Sequence, residues 1–188
     1  MVSHINRGLV PDSRLEAFLF GVDRIPLDRL RPGLREFQDG RCFYCQKPIR
    51  GKAEIDHFIP WSRYADNGID NLVLSDATCN NAKRNFLAAV PHLERWLFGF
   101  QASDEATRLR ELSNAVRWNR HPEATLAVAT AIYGRLPDGA KLWIERGTFV
   151  DADPRTLTRY LLEFGWTLVA VQPGWQALSS SFIAATGA

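Results

Sequence analysis

Three cysteines place the tightest constraint on this chain. Two of them stand as Cys42-Phe43-Tyr44-Cys45 and the third is Cys79. An odd number of thiols cannot all pair, and 3 in 188 residues are too few for a disulfide scaffold. A reducing compartment fits such cysteine usage better than secretion. The spacing is that of a thiolate metal clamp, in which separate segments are drawn together around one ion. The chain can also bury a core. Hydrophobic residues make up 46% and charged residues 23%, which argues against a disordered chain, and the length fits about one domain with an added helical layer.

Charge narrows the partners. Lys+Arg 23 against Asp+Glu 21 gives a net charge of +2, which excludes a polybasic protein and leaves room for local basic groups. Residues 41–86 hold 7 basic and 5 acidic side chains, so the whole net charge sits in that stretch. Residues 87–188 balance at 10 and 10. The start, Met1 to Val10, has no apolar run behind a basic cluster, and apolar stretches such as Thr167 to Val171 are short of a membrane span. A soluble, cytoplasmic chain without a membrane partner is expected.

Along the chain, residues 12–40 read as helical, with Leu15, Phe18, Leu19 and Val22 on one face. Pro26 and Pro32 break that helix or start new ones, and Asp39-Gly40 is a turn. Between 41 and 88 two short strands are expected, Ala53 to Phe58 and Leu72 to Leu74, with a turn at Asp66-Asn67-Gly68. A helix then begins near Asp76 or Ala77 and runs past Asn85. Residues 91–145 read mainly as helices, with Leu93, Trp96 and Leu97 on one face and Leu109, Leu112 and Val116 on another. The Ala124–Tyr133 helix ends at Leu136-Pro137-Asp138-Gly139. A helix opened by Asp153-Pro154 is expected over 153–164, before a tail rich in tryptophan and small residues.

Asp56-His57, Asn71 and Asn80 carry the chemistry. An oxygen-only pair, Asp56 and Asn80, suits a hard cation such as Mg²⁺ that binds substrate phosphate. His57 is then free to act as general base on a water. Strand alternation puts Asp56 and His57 on opposite faces, so a distorted hairpin is expected. Taken singly, these residues also suit strand ends, a turn and a helix cap. The combination of types and spacings favours the site.

Cys42-x-x-Cys45, Ile55-Asp56-His57-Phe58-Ile59-Pro60, Asn71-Leu72-Val73 and Cys79-Asn80-Asn81-Ala82-Lys83 together resemble the HNH endonuclease family, in the form whose last His is replaced by Asn. The nuclease domain of CRISPR RNA-guided effectors shares that form. The resemblance implies an α+β protein with a small ββα-metal nuclease core embedded in mostly helical flanking segments. Residues 1–40 would be an N-terminal helical segment and 41–90 the core. Residues 91–188 would belong to the same compact unit or form an accessory subdomain. His57 would activate water, Asp56 and Asn80 would hold Mg²⁺ or Mn²⁺, and Asn71 would brace the loop and orient His57. Lys83 could reach a phosphate or be an ordinary solvated lysine. Arg84 and Arg63 are weaker phosphate candidates. Trp61 could wall the site or fill the core. Arg108, Arg110, Arg117 and Arg120 could track a DNA backbone or form a solvated face.

Zinc-bearing members of that family usually place a Cys or His three before the third cysteine, where this chain has Asp76. A structural Zn²⁺ on Cys42, Cys45, Cys79 and Asp76 is one reading. Asp76 as helix N-cap is another, and an apolar thiol cluster a third. The leading expectation is a metal-dependent endonuclease acting on DNA, with RNA left open. It would be guided or activated by a protein partner, in a bacterial or phage defence or mobile-element setting. A toxin of a toxin–immunity pair would share the chemistry. The contrasting expectation is a non-catalytic zinc-knuckle module that binds nucleic acid or protein.

Overall fold

The computed structural model describes residues 27–161, apart from Ala102 and Thr158. The helical stripe expected over 12–22 and the tail beyond 161 lie outside the described residues. A short 3₁₀ turn, Leu27–Leu30, leads into helix α1, Arg31–Phe37, which has Pro32 in its first turn, where a missing N–H costs nothing. α1 ends at a turn in which Asp39 and Gly40 both take positive φ. That turn aims the chain into the cysteine pair.

Strands β1, Glu54–His57, and β2, Leu72–Ser75, form an antiparallel pair. Helix α2, Ala77–Lys83, follows directly. The pairing runs from Glu54↔Ser75 to His57↔Leu72 without a register shift, so the expected distortion is absent from the ladder. His57 is the last residue of β1, and it leaves the sheet where the chain bends. Gln38 closes the outer edge of β2: its Oε1 accepts from Leu74 N and its Nε2 donates to Leu74 O, at 2.7 and 2.9 Å. α2 stops at Lys83 rather than running past Asn85, because Arg84 adopts φ 50°. The chain then turns to lay Leu87–Ala89 beside a later strand.

Helices α3, Val90–Gln101, α4, Ser103–Val116, and α5, Pro122–Tyr133, come next. Leu93, Trp96 and Leu97 are buried as their spacing requires. The region after 91 is less helical than expected, since β3, Lys141–Glu145, and β4, Thr148–Asp151, form a hairpin around Gly147. β3 also pairs with the segment after α2: Trp143 N donates to Leu87 O and Ala89 N to Trp143 O, at 2.8 and 2.7 Å. A helical turn over 154–157 opens on Asp153, whose carboxylate accepts from Arg155 N and Thr156 Oγ1. The described residues thus combine helices with two small antiparallel sheets, an α+β fold with a ββα unit at its centre. No helix among them is long and apolar enough to cross a membrane.

The helical layer grips the loop between β1 and β2. Asp70 is wholly buried, and its carboxylate takes Arg120 Nη2 at 2.6 Å and His121 N at 2.8 Å. Trp96 Nε1 donates to Asp70 O, and Asn119 O accepts from Ile69 N. Arg108 donates to Phe37 O and lies over the Phe37 ring. Arg108 and Arg120 therefore serve the fold, correcting the expectation of a free basic face at those two positions. Replacing Arg120 by Ala strands a buried carboxylate, which costs about 3 kcal/mol. Urea unfolding of Arg120→Ala should show that loss, and a change under 1 kcal/mol would show the pair to be dispensable.

Candidate active site

Asp56, near the end of β1, has a side chain only 12% exposed. Its Oδ2 accepts a hydrogen bond from Tyr44 Oη at 2.6 Å and pairs with Lys83 Nζ at 3.0 Å. Burial, and then the carboxylate beside it, push the Tyr44 phenol well above its ordinary range, so it remains a donor. Lys83 is fully buried and also donates to His57 O at 2.9 Å. It is neither a solvated lysine nor presented for a phosphate to approach; its ammonium is committed to Asp56 and the β1 backbone. Oδ1 of Asp56 receives no hydrogen bond from the described residues, which leaves it as the oxygen available to a cation.

His57 faces the loop. Its Nε2 lies 2.9 Å from Asn67 Oδ1, and its ring meets Trp61 edge-on at 5.1 Å between centroids. A carbonyl oxygen can only accept, so Nε2 carries the proton and Nδ1 keeps the lone pair. Burial lowers the His57 pKa below 6.5, outweighing the opposing Asn67 bond, so the ring is neutral near pH 7. Trp61 is 39% exposed and walls the site instead of filling the core.

Asn71 is fully buried and clamps the chain after His57. Its Oδ1 accepts from Ile59 N at 2.8 Å and its Nδ2 donates to Ile59 O at 3.1 Å. It makes no bond to the imidazole, a contact that falls to Asn67. Asn80 is half-buried on α2, three residues before Lys83, and so shares the side of the helix that reaches Asp56. Arg84 is exposed and bonds Asn81 O, and Arg63 is exposed on the loop.

The cysteines converge at the other end of α2. One donor atom each from Cys42, Cys45, Asp76 and Cys79 lie within 4.8 Å of one another. Two sulfurs bound to a single zinc stand roughly 3.8 Å apart, so the donor set fits one tetrahedral ion. The two readings of Asp76 are compatible, because its oxygens divide the work. Oδ1 caps α2 by accepting from Cys79 N at 2.9 Å, while Oδ2 faces Cys45 Sγ at 3.3 Å. Burial raises the Asp76 carboxyl, but the bonds from Cys79 N and the thiols outweigh it and hold the group at about 2. Burial pushes Cys42 up to about 11 and Cys79 higher still, so ion-free thiols stay protonated at neutral pH and a metal must displace protons.

One carboxylate–amide–imidazole set and one thiol clamp share the ββα unit. Residues 42–89 match the HNH endonuclease family. The match spans 48 of 188 residues, about a quarter of the chain. No curated protein matches the chain. The HNH segment implies nuclease chemistry on a nucleic-acid substrate and a metal requirement, and its cysteine cluster can hold a metal.

Two contributors are hard to find from residue types alone. Asn67 lies in the Asp66-Asn67-Gly68 turn, and Tyr44 stands between two clamp cysteines, where a core role is the natural assumption. Tyr44→Phe deprives a buried carboxylate oxygen of its donor and should cost about 1–3 kcal/mol in urea unfolding. The same substitution in an Asp56→Asn background should cost less, and equal losses would show that the hydroxyl does not act through Asp56.

Proposed function

We propose that this protein is a metal-dependent endonuclease that hydrolyses DNA phosphodiester bonds through the HNH segment. The observation that carries the reading is the buried His57 ring, held at Nε2 by Asn67 Oδ1 at 2.9 Å, directly after Asp56. Asn67 holds Nε2–H, so Nδ1 is the basic nitrogen, beside a carboxylate that has one oxygen anchored and one spare. His57 Nδ1 takes the proton from the attacking water as its oxygen bonds to phosphorus and the bond to the 3′-oxygen breaks. Asp56 and Asn80 would hold a Mg²⁺ or Mn²⁺ ion, whose charge stabilises the phosphorane-like transition state and the leaving 3′-oxygen. Tyr44 and Lys83 keep Asp56 in place, and Asn71 fixes the bend after His57. The products expected of the family carry a 5′-phosphate and a 3′-hydroxyl.

Zn²⁺ is the ion proposed for Cys42, Cys45, Cys79 and Asp76, in a structural role. A local charge excess of two supports only modest non-specific affinity, which favours a protein partner that brings the enzyme to its target. A cytoplasmic role in bacterial or phage defence or in a mobile element suits such an enzyme.

Supercoiled plasmid incubated with Mg²⁺, Mn²⁺ or EDTA tests the catalytic reading. Wild type should nick with either ion, and His57→Ala should be slower by about 100-fold or more. Equal nicking by the two proteins would refute the role of His57. The rate should rise with pH along a limb centred below 6.5, because burial and a nearby cation both disfavour the imidazolium. Asn67→Asp adds an anion at the ring and should move that limb to higher pH.

Asp76→Asn separates cap from ligand, since Asn caps helices as well as Asp does. Metal analysis of wild type should find one equivalent of zinc, and Asp76→Asn should lose it with its helix content intact. Retention of zinc in the variant would remove Asp76 from the ligand set.

A further inference from the structure

A cleft of about 330 Å³ opens beside His57, and much of its lining comes from outside the HNH segment. Trp61 and Asn67, the two residues that touch the His57 ring, form one wall. Trp118, Arg117, Asn119, His121 and Arg29 line the cleft from outside that segment. Trp118 is docked on the loop: its Nε1 donates to Asn67 O at 2.7 Å, so a single residue holds both the imidazole and this indole. The one carboxylate in the lining, Asp66, is already occupied by Gly68 N and by His121 Nδ1, each at 3.0 Å. Arg117 is exposed and makes no ion pair among the described residues, and Arg29 is exposed with a long bond to Val116 O. Two indoles and two exposed guanidiniums that make no ion pair among the described residues thus line a recess next to the candidate general base.

We propose that this cleft is a nucleotide subsite. It receives one unpaired nucleotide adjoining the scissile phosphate, stacks its base on Trp61 and Trp118, and meets its phosphate with Arg29 and Arg117. The proposal rests on the nuclease reading of His57 and names the substrate class. The recess has room for one nucleotide. Bases inside a duplex are stacked and paired and cannot enter it without being extruded, whereas a single strand, loop or flap offers a base directly. Indoles accept any base on its π-face, so the subsite selects strand structure more than sequence.

Fluorescence anisotropy with a labelled DNA single strand, and with the same strand annealed to its complement, tests the proposal. Full-length wild-type protein is used in buffer without added Mg²⁺, so binding is read apart from cleavage. The single strand should bind more tightly than the duplex. Trp61→Leu, at a partly exposed position, should weaken single-strand binding by about tenfold and leave duplex binding unchanged. Arg29→Gln with Arg117→Gln should flatten the dependence of log affinity on log salt by about 0.7, for the one phosphate they meet on a single strand. Equal affinity for the two DNA forms, or an unchanged salt slope in the double variant, would overturn the subsite. A His57→Ala protein that nicks like wild type would instead overturn the general-base role of His57, and would leave the binding result standing on its own.

Discussion

A nearly buried carboxylate held between a phenol and an ammonium ties the parts of this molecule together. Asp56 draws Tyr44 from the cysteine knuckle and Lys83 from α2 onto β1. Burial lowers the Lys83 pKa and Asp56 opposes that, so the ammonium depends on the carboxylate to stay charged out of water. The same helix offers Cys79 to the thiol cluster four residues earlier, one turn along the same face. Placement of the clamp and placement of the carboxylate are therefore one event. The β3–β4 hairpin and α3 join in, because Trp143 and His92 pack edge-on against the Tyr44 ring at 5.2 and 5.3 Å.

The helices after the HNH segment acquire a reason from the loop they hold. A ββα unit this small leaves the connection between its strands long, and that connection carries Asn67, Asp70 and Asn71. Arg120, Trp96, Asn119 and Trp118 each bond to it from the helical layer. Phe58 stacks on Trp96 at 4.5 Å just after His57. The imidazole is thereby oriented by a loop that is itself buttressed. This is the kind of support that holds a reactive group in one geometry.

The core of this picture was legible in the amino-acid order. Residue types and spacings alone place Asp56, His57 and Asn80 on a strand–loop–strand–helix unit and bring Cys42, Cys45 and Cys79 into one cluster. What stayed hidden depended on long-range contacts. Lys83 sits at a helical position that reads as solvent-facing, and only the packing of α2 on β1 buries it. Arg120 and Asp70 are 50 positions apart, beyond any local pattern. The β3–β4 hairpin had a local signal, Arg146-Gly147 between apolar runs, but an apolar run of three in β3 suits a helix equally well. The early end of α2 turns on the positive φ of Arg84, for which the residue type gives no hint.

Whether Asp56 holds a working cation decides the whole reading most directly. Electron paramagnetic resonance of Mn²⁺ added to the purified full-length protein counts that ion apart from the diamagnetic zinc. One bound Mn²⁺ is expected in wild type and in His57→Ala, with binding lost in Asp56→Asn while zinc content stays the same. Mn²⁺ bound equally by Asp56→Asn, or no Mn²⁺ bound by wild type, would contradict a metal-dependent nuclease centre at this carboxylate.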